Sequence, residues 1–280
     1  MEAAQAMNFL NILARELESN SISLPSFPDA IMKIRDALES DDCDLQKIVQ
    51  LANMEPVLTS RLLQAANSAY HNASGNAVTD LQTAVMRLGL TDVRNKAIAL
   101  AVEQLFIGEQ HPAIADSLGT LWRRSMVMSA TSAVLADKCS GVNPDQAFMA
   151  GLLHDIGKLY MLTKSKDYPA AQIDLMARSD SGSSWHPQIG RCIVEGWGFG
   201  ADILDTLDVC DHMDERPGSA ADLKDIVLVA ERVCTMSPAT EAEDFDHLSF
   251  RKLKIDPDRL AELRPAIKER VDAELASLSK

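Results

Sequence analysis

Apolar residues recur along this chain at spacings of three and four rather than in alternation, which is the signature of helix and not of sheet. Phe9, Leu10, Ile12, Leu13 and Leu17 fall on one side of an opening helix. Two prolines in residues 21–28 (SISLPSFP) break it, and Asp29 is placed to cap a second helix whose apolar face carries Ile31, Ile34 and Leu38. After an acidic link (39–44), Leu45, Ile48, Val49 and Ala52 repeat at i, i+3, i+4 and i+7. Pro56 suits a first helical turn, where its missing N–H is not needed, so a further helix is predicted from there to about Ser68. Residues 71–78 read as loop. Thr79 or Asp80 caps a helix over 81–88, and Gly89 is expected to end it in a left-handed conformation. The next helix starts at Thr91 or Asp92 and runs to about Phe106.

The second half follows the same period. A long helix is predicted over 118–138, and Asn143-Pro144 opens another that carries Phe148, Leu152 and Leu153 into His154-Asp155 and ends near Gly157. Residues 160–178 read as helix interrupted at Pro169, and 179–184 as a polar loop. Helices are predicted from 186 to about 196, 201 to about 211, 220 to about 236 and 258–278, with an acidic loop (241–246) before the last. The fold class expected is all-α, an N-terminal helical bundle packed on a second helical half.

Composition supports that class. Aromatics make up only 5% of the chain while Ala, Leu, Met and Glu are abundant, and straight-chain residues lose little rotamer freedom in a helix. A net charge of -14 argues against nucleic acid or an anionic membrane as partner, because phosphate contacts need clustered Lys and Arg. The basic runs present, Arg123-Arg124 and Arg251-Lys252 with Lys254, stand isolated in an acidic field. The five cysteines are scattered without a CxxC pair, so neither a zinc ribbon nor a disulfide framework is expected. The first twenty residues are amphipathic and charged, unlike a signal peptide, and no apolar run is long enough to span a bilayer. A cytoplasmic protein is expected.

The sharpest local feature is Gly151-Leu152-Leu153-His154-Asp155-Ile156-Gly157-Lys158. An adjacent His-Asp pair with an apolar approach and a Gly-Lys exit resembles the defining motif of the HD superfamily of metal-dependent phosphohydrolases. That resemblance implies a site in which imidazole and carboxylate bind a divalent metal whose water attacks a phosphoester. It also implies a first His on the preceding long helix, directly before Ser125, and a distant carboxylate on a late helix. Arg124 stands at the first position, and a guanidinium has no lone pair to give. Glu231, within Val229-Ala230-Glu231-Arg232, is the carboxylate nearest the second. Downstream lie His186 (WHPQIG) and Asp211-His212 (CDHMD), where relatives with two-metal sites supply further histidines. Two readings stand side by side. His154, Asp155, His186, Asp211, His212 and Glu231 are a residual pocket for a weakly bound divalent metal, or His154 and Asp155 form a buried pair that Arg124 neutralises. No tightly held cofactor is expected, and no catalytic residue is assigned.

The N-terminal half narrows the resemblance. Leu24-Pro25-Ser26-Phe27-Pro28, Glu55-Pro56, Ala66-Asn67-Ser68 and Ala84-Val85-Met86-Arg87-Leu88-Gly89 occur in that order, followed by Trp122, the His-Asp string, His186 with Gly190, and Trp197. In order and spacing this is similar to an HDOD domain, with Glu55 in place of the usual Asp as a capping carboxylate. The resemblance divides the chain into an N-terminal helix (1–19), an HDOD domain (20–217, as a five-helix bundle over 20–115 and a degenerate HD-like half over 116–217) and a C-terminal helical extension (218–280). It implies a bacterial, non-catalytic signal-transduction module that takes a protein partner, with a nucleotide as a second candidate ligand. The alternative it leaves is a phosphohydrolase acting on a nucleotide or cyclic dinucleotide. No Gly-Tyr-Pro signature follows Lys158, where the chain reads Leu159-Tyr160-Met161.

Overall fold

A computed structural model describes residues 9, 11–13, 15–16, 29–39, 44–72, 75–107, 112, 114–165, 185–207, 220–236 and 245–276. Among these there is no strand, and the fold is all-α. The helices of the first half are α1 (Asp29–Glu39), α2 (Leu45–Asn53), α3 (Pro56–Ala66), α4 (Leu81–Leu88) and α5 (Leu90–Ile107). Those of the second are α6 (Ala115–Cys139), α7 (Pro144–Leu153), α8 (Ile156–Lys164), α9 (His186–Gly196), α10 (Ala201–Leu204), α11 (Leu223–Thr235), α12 (Leu248–Leu253) and α13 (Pro257–Ala276). None of them is long and apolar enough to cross a membrane.

Local chemistry accounts for most of the boundaries. The Asp44 carboxylate accepts from Gln46 N at 2.9 Å to open α2, Asp80 accepts from Thr83 N at 2.8 Å to open α4, and Asn143 accepts from Asp145 N at 2.8 Å to open α7. Asp222 and Asp225 form a reciprocal capping box at the start of α11. Glu55, expected to cap α3, makes no side-chain cap hydrogen bond, and Pro56 alone sets that start. Gly89 ends α4 at φ 82 and ψ 158, a positive-φ conformation outside the left-handed helical region that was expected. The Asn67 side chain, in the Asn-Ser motif, donates to Val78 O at 2.7 Å and accepts from Val78 N at 2.7 Å. That motif therefore pins the backbone at Val78 to the end of α3.

Two apolar cores result. Ile34, Ile48, Leu58, Leu62, Ala84 and Val85 fill the first, inside the α1–α5 bundle. The second is centred on α6, α7 and α8 and includes Leu135, Phe148, Leu152 and Leu159. Helix α5 belongs to both: Val93, Ala97 and Leu100 face the bundle, while Ile98, Ala99 and Val102 face the second core. A helix apolar on opposite sides is buried between layers, and this one joins the two halves. The same second core takes in Phe9 and Leu13 from the N-terminus, and Ile226, Phe250 and Leu260 from α11, α12 and α13.

Three boundaries differ from the sequence reading. The helix entering the His-Asp pair stops at Leu153, and a new one starts at Ile156 rather than near Tyr160. Helix α12 was not anticipated. Helix α10 ends after one turn at Leu204, where residues 205–207 continue as turn and not as the α-helix expected; positions 208–211 lie outside the described residues, as do the 21–28 break, Pro169 and the 179–184 loop.

Candidate functional site

The junction between α7 and α8 builds the site. Asp155 leaves helical geometry (φ -102, ψ 14), and its carbonyl accepts from Lys158 N at 2.9 Å and Leu159 N at 3.1 Å to start the next helix. With the backbone turning there, both His154 and Asp155 point inward, at 1% and 0% exposure. Two glycines of the same string allow the close packing around them. A Cβ on Gly151 would lie 2.7 Å from Met128 O on α6, and one on Gly157 would lie 1.9 Å from His186 O on α9. Gly190, one turn along α9, completes the contact from the other side.

Arg124 reaches into this junction from α6. Its Nε donates to Asp155 Oδ2 at 3.0 Å, and its Nη2 donates to Glu231 Oε1 on α11. Lys158 Nζ stands 2.7 Å from the other Asp155 oxygen. His154 donates from Nδ1 to Gly151 O at 2.6 Å, so that nitrogen carries a proton. Its Nε2 then lies 3.0 Å from Asp155 Oδ2 and 3.6 Å from Glu231 Oε2. A lone pair aimed at two carboxylates is unfavourable, and a second proton there is favourable.

The ionisation equilibria follow. Burial disfavours the charged forms of His154 and Asp155, but their mutual attraction overrides it, with Glu231 acting on the imidazole and Lys158 and Arg124 on the carboxylate. The His154 pKa is therefore raised and that of Asp155 falls well below its ordinary value. For Arg124, burial is likewise outweighed by Asp155 and Glu231, which hold the guanidinium charged. His186, the first residue of α9 and 6% exposed, behaves oppositely: burial, then the Lys158 cation, lower its pKa to about 3, so it is a neutral imidazole.

Of the residues singled out from sequence, the structure brings Arg124, His154, Asp155 and Glu231 into direct contact. It leaves His186 within their electrostatic reach. Asp211 and His212 lie outside the described residues. Among the described residues, no three His, Cys, Asp or Glu side chains are grouped as metal ligands. Lys158, the last residue of the His-Asp string, is the member of the site that the sequence motif does not mark out. Its position three residues after a buried Asp at a helix start was the available signal.

Against known families, the HDOD domain profile matches residues 24–212, most of the chain. The chain belongs to the HDOD family. Solved structures of similar fold include a protein of Shewanella amazonensis SB2B described as a "Putative metal-dependent phosphohydrolase", at TM-score 0.79 and 22% identity, covering 99% of this chain and 100% of that one. An HDOD domain protein of unknown function from Geobacter sulfurreducens superposes at TM-score 0.69 and 24% identity, covering 94% and 96%. A "Putative signal transduction protein" from Marinobacter aquaeolei VT8 does so at 0.61 and 17%, covering 99% of this chain and 65% of that one. At such identities the likeness establishes the fold. Comparison with curated proteins gives no match. Within this HDOD chain the matched segment ends before α11, yet α11 supplies Glu231 to the site and Ile226 to the second core.

Proposed function

We propose that this HDOD protein is a non-catalytic regulatory module of a bacterial cytoplasm, relaying a signal to a protein partner through its helical surface. The observation that carries the reading is Arg124, a permanent cation bridging Asp155 and Glu231 where the HD pattern calls for a neutral imidazole. With Lys158 added, two cations face two carboxylates, so the cluster is electrically neutral with His154 neutral and carries one positive charge with it protonated. A divalent ion would meet carboxylates that are already paired, and a guanidinium that repels it. The described residues of the cluster therefore do not fit a tightly held metal. A hydrolase of this class needs converging neutral or anionic donors and a metal-acidified water, and the cluster offers a closed ion-pair network instead. That network joins α6, the α7–α8 junction and α11, so a partner that displaces one of these helices would be felt by the others.

Phosphohydrolase chemistry is the second reading, favoured by one detail. Donation from His154 Nδ1 to a backbone carbonyl is the orientation that metal-bound imidazoles adopt. Assaying the purified chain with phosphodiester and nucleotide substrates, in the presence of added manganese, iron or zinc, separates the two. The regulatory reading expects rates no greater than those of an Asp155→Ala variant. Turnover at enzymatic rates that vanishes in that variant would establish the hydrolase.

A further inference from the structure

Helix α13 lies beyond the matched HDOD segment and is built in two parts. Its first turns bury Leu260 and Leu263 in the second core. Pro265 follows inside the helix, and without an N–H for the carbonyl of residue 261 it interrupts the backbone ladder there. Past it, Ile267 and Leu275 rest partly buried against the same second core. Toward the N-terminal bundle, no α13 side chain joins the first core among the described residues. Polar groups grip the bundle instead. Gln64 Nε2 of α3 donates to Ala276 O at 2.6 Å, Lys96 of α5 pairs with Glu274, and Arg270 pairs with Asp92 of α5 while covering the Tyr70 ring.

His71 completes this grip. It lies in the turn after α3, and its Nε2 stands 3.4 Å from Asp92 Oδ2, a buried oxygen with no hydrogen-bond partner among the described residues. With His71 neutral, Lys96 and Arg270 balance Asp92 and Glu274. Protonating the imidazole sets three cations against two carboxylates where little water reaches them. The His71 side chain, 14% exposed, is the member of the group most open to a proton from solvent. Two further charges stand nearby: Asp145 of α7, which accepts from Asn95 at 3.3 Å, and Lys138 of α6, which is exposed and paired with Asp137. Burial and the Asp92 carboxylate raise the Asp145 pKa. For His71, burial and then Lys96 and Arg270 outweigh the pull of Asp92 and Glu274 and hold its pKa below the ordinary 6.5. The imidazole regains that ordinary value once α13 lifts away, so the open form takes up the proton first and the closed form loses ground as pH falls below 6.5.

We propose that α13 beyond Pro265 is a latch released by protons: it clamps the bundle to the second half while His71 is neutral, and protonation of His71 frees residues 266–276. Release also reaches the candidate site. The Arg270 guanidinium lies 5.8 Å over the Phe148 ring of α7, the helix that runs into His154, so opening the latch withdraws a contact from the element that carries the His-Asp pair. The inference goes beyond the regulatory reading and stands on residues that take no part in the His154 cluster. Metal content and hydrolysis test the one, and local opening of α13 tests the other.

Amide hydrogen exchange of the full chain at about pH 7.5 and about pH 5.5, corrected for the intrinsic pH dependence of exchange, decides it. Protection over 266–276 is expected to fall by up to about tenfold between the two conditions, the limit for a single proton taken up by the open form, while protection in α6 holds. His71→Gln, or His71→Asn as the shorter neutral amide, is expected to keep protection over 266–276 equal at both. Unchanged protection in the parent, a fall of the same size in the neutral variants, or loss of α6 protection in step with that of 266–276 would overturn the latch.

Discussion

Removing the Glu274 carboxylate should destabilise the protein more than any single exposed change, because it strands two buried cations. Helix α13 lays Arg270 and Glu274 against Asp92 and Lys96 of α5, and all four are buried. Lys96 Nζ lies 3.0 Å from Glu274 but 3.8 Å from Asp92, and Arg270 Nη2 lies 3.0 Å from Glu274 but 3.4 Å from Asp92. Each cation thus has Glu274 as its nearer anion. Two positive and two negative side chains make a neutral cluster, and Glu274→Ala converts it to a buried net positive charge. Breaking a buried ion pair from one side costs about 3–5 kcal/mol. In a chain of this size that corresponds to a fall in melting temperature of roughly 5–9 °C. The Arg270 guanidinium also sits 4.6 Å above the Tyr70 ring, and that contact loosens with it. Urea unfolding of the parent, Glu274→Ala, Lys96→Met and the double variant Lys96→Met/Glu274→Leu forms the test. The double variant should lose less than Glu274→Ala alone, because it removes the uncompensated charge along with its partner. A Glu274→Ala variant within about 0.5 kcal/mol of the parent, the range of ordinary surface changes, would refute the reasoning and undock α13 from α5.

Two further outcomes are expected. Gly157→Ala places a methyl group against the His186 carbonyl at 1.9 Å, and since backbone cannot swing aside, a loss of about 3 kcal/mol or more in thermal or urea unfolding is predicted; a neutral result would mean that α8 and α9 do not pack as described. Asp225 is partly shielded by burial, which raises its pKa, but hydrogen bonds from Ser249 and Lys252 outweigh that and lower it below 3.8. Its stabilisation is therefore full above the unfolded value and is lost as pH falls through the lowered folded value. Asp225→Asn should cost about 1–2 kcal/mol at pH 7, and the gap to the parent should narrow as pH drops below 3.8; a gap constant from pH 7 to pH 3 would contradict the assignment.

What was legible in the sequence was mostly what local chemistry determines. Asp80 before Leu81 and Asn143 before Pro144 are caps whose side chains bond two or three residues on, so the chain around them carries the whole signal. Gly157 is set by tertiary packing rather than by local chemistry. A glycine after an apolar run looks like a helix stop, but here it sits inside α8 to let the backbone of α9 approach, a demand set by a segment some thirty residues downstream. Arg124 could be picked out because the resemblance marks one position directly before Ser125, and Glu231 because it is the carboxylate nearest the expected place. Their contact, spanning 107 residues of chain, needed the structure. The Asp92–Lys96–Arg270–Glu274 cluster gave no such sign. Acid and base four residues apart on a helix ordinarily mark a solvated face, and nothing in either segment announces that the two faces meet.

The metal content of the purified protein tests the central claim most directly. If Arg124 has taken the place of a ligand and its charge replaces that of an ion between Asp155 and Glu231, elemental analysis of the parent will find iron, manganese and zinc together far below one equivalent per chain, and Arg124→His will raise that figure. One to two equivalents of tightly held metal in the parent, lost from His154→Ala, would contradict the account and return the site to the phosphohydrolases.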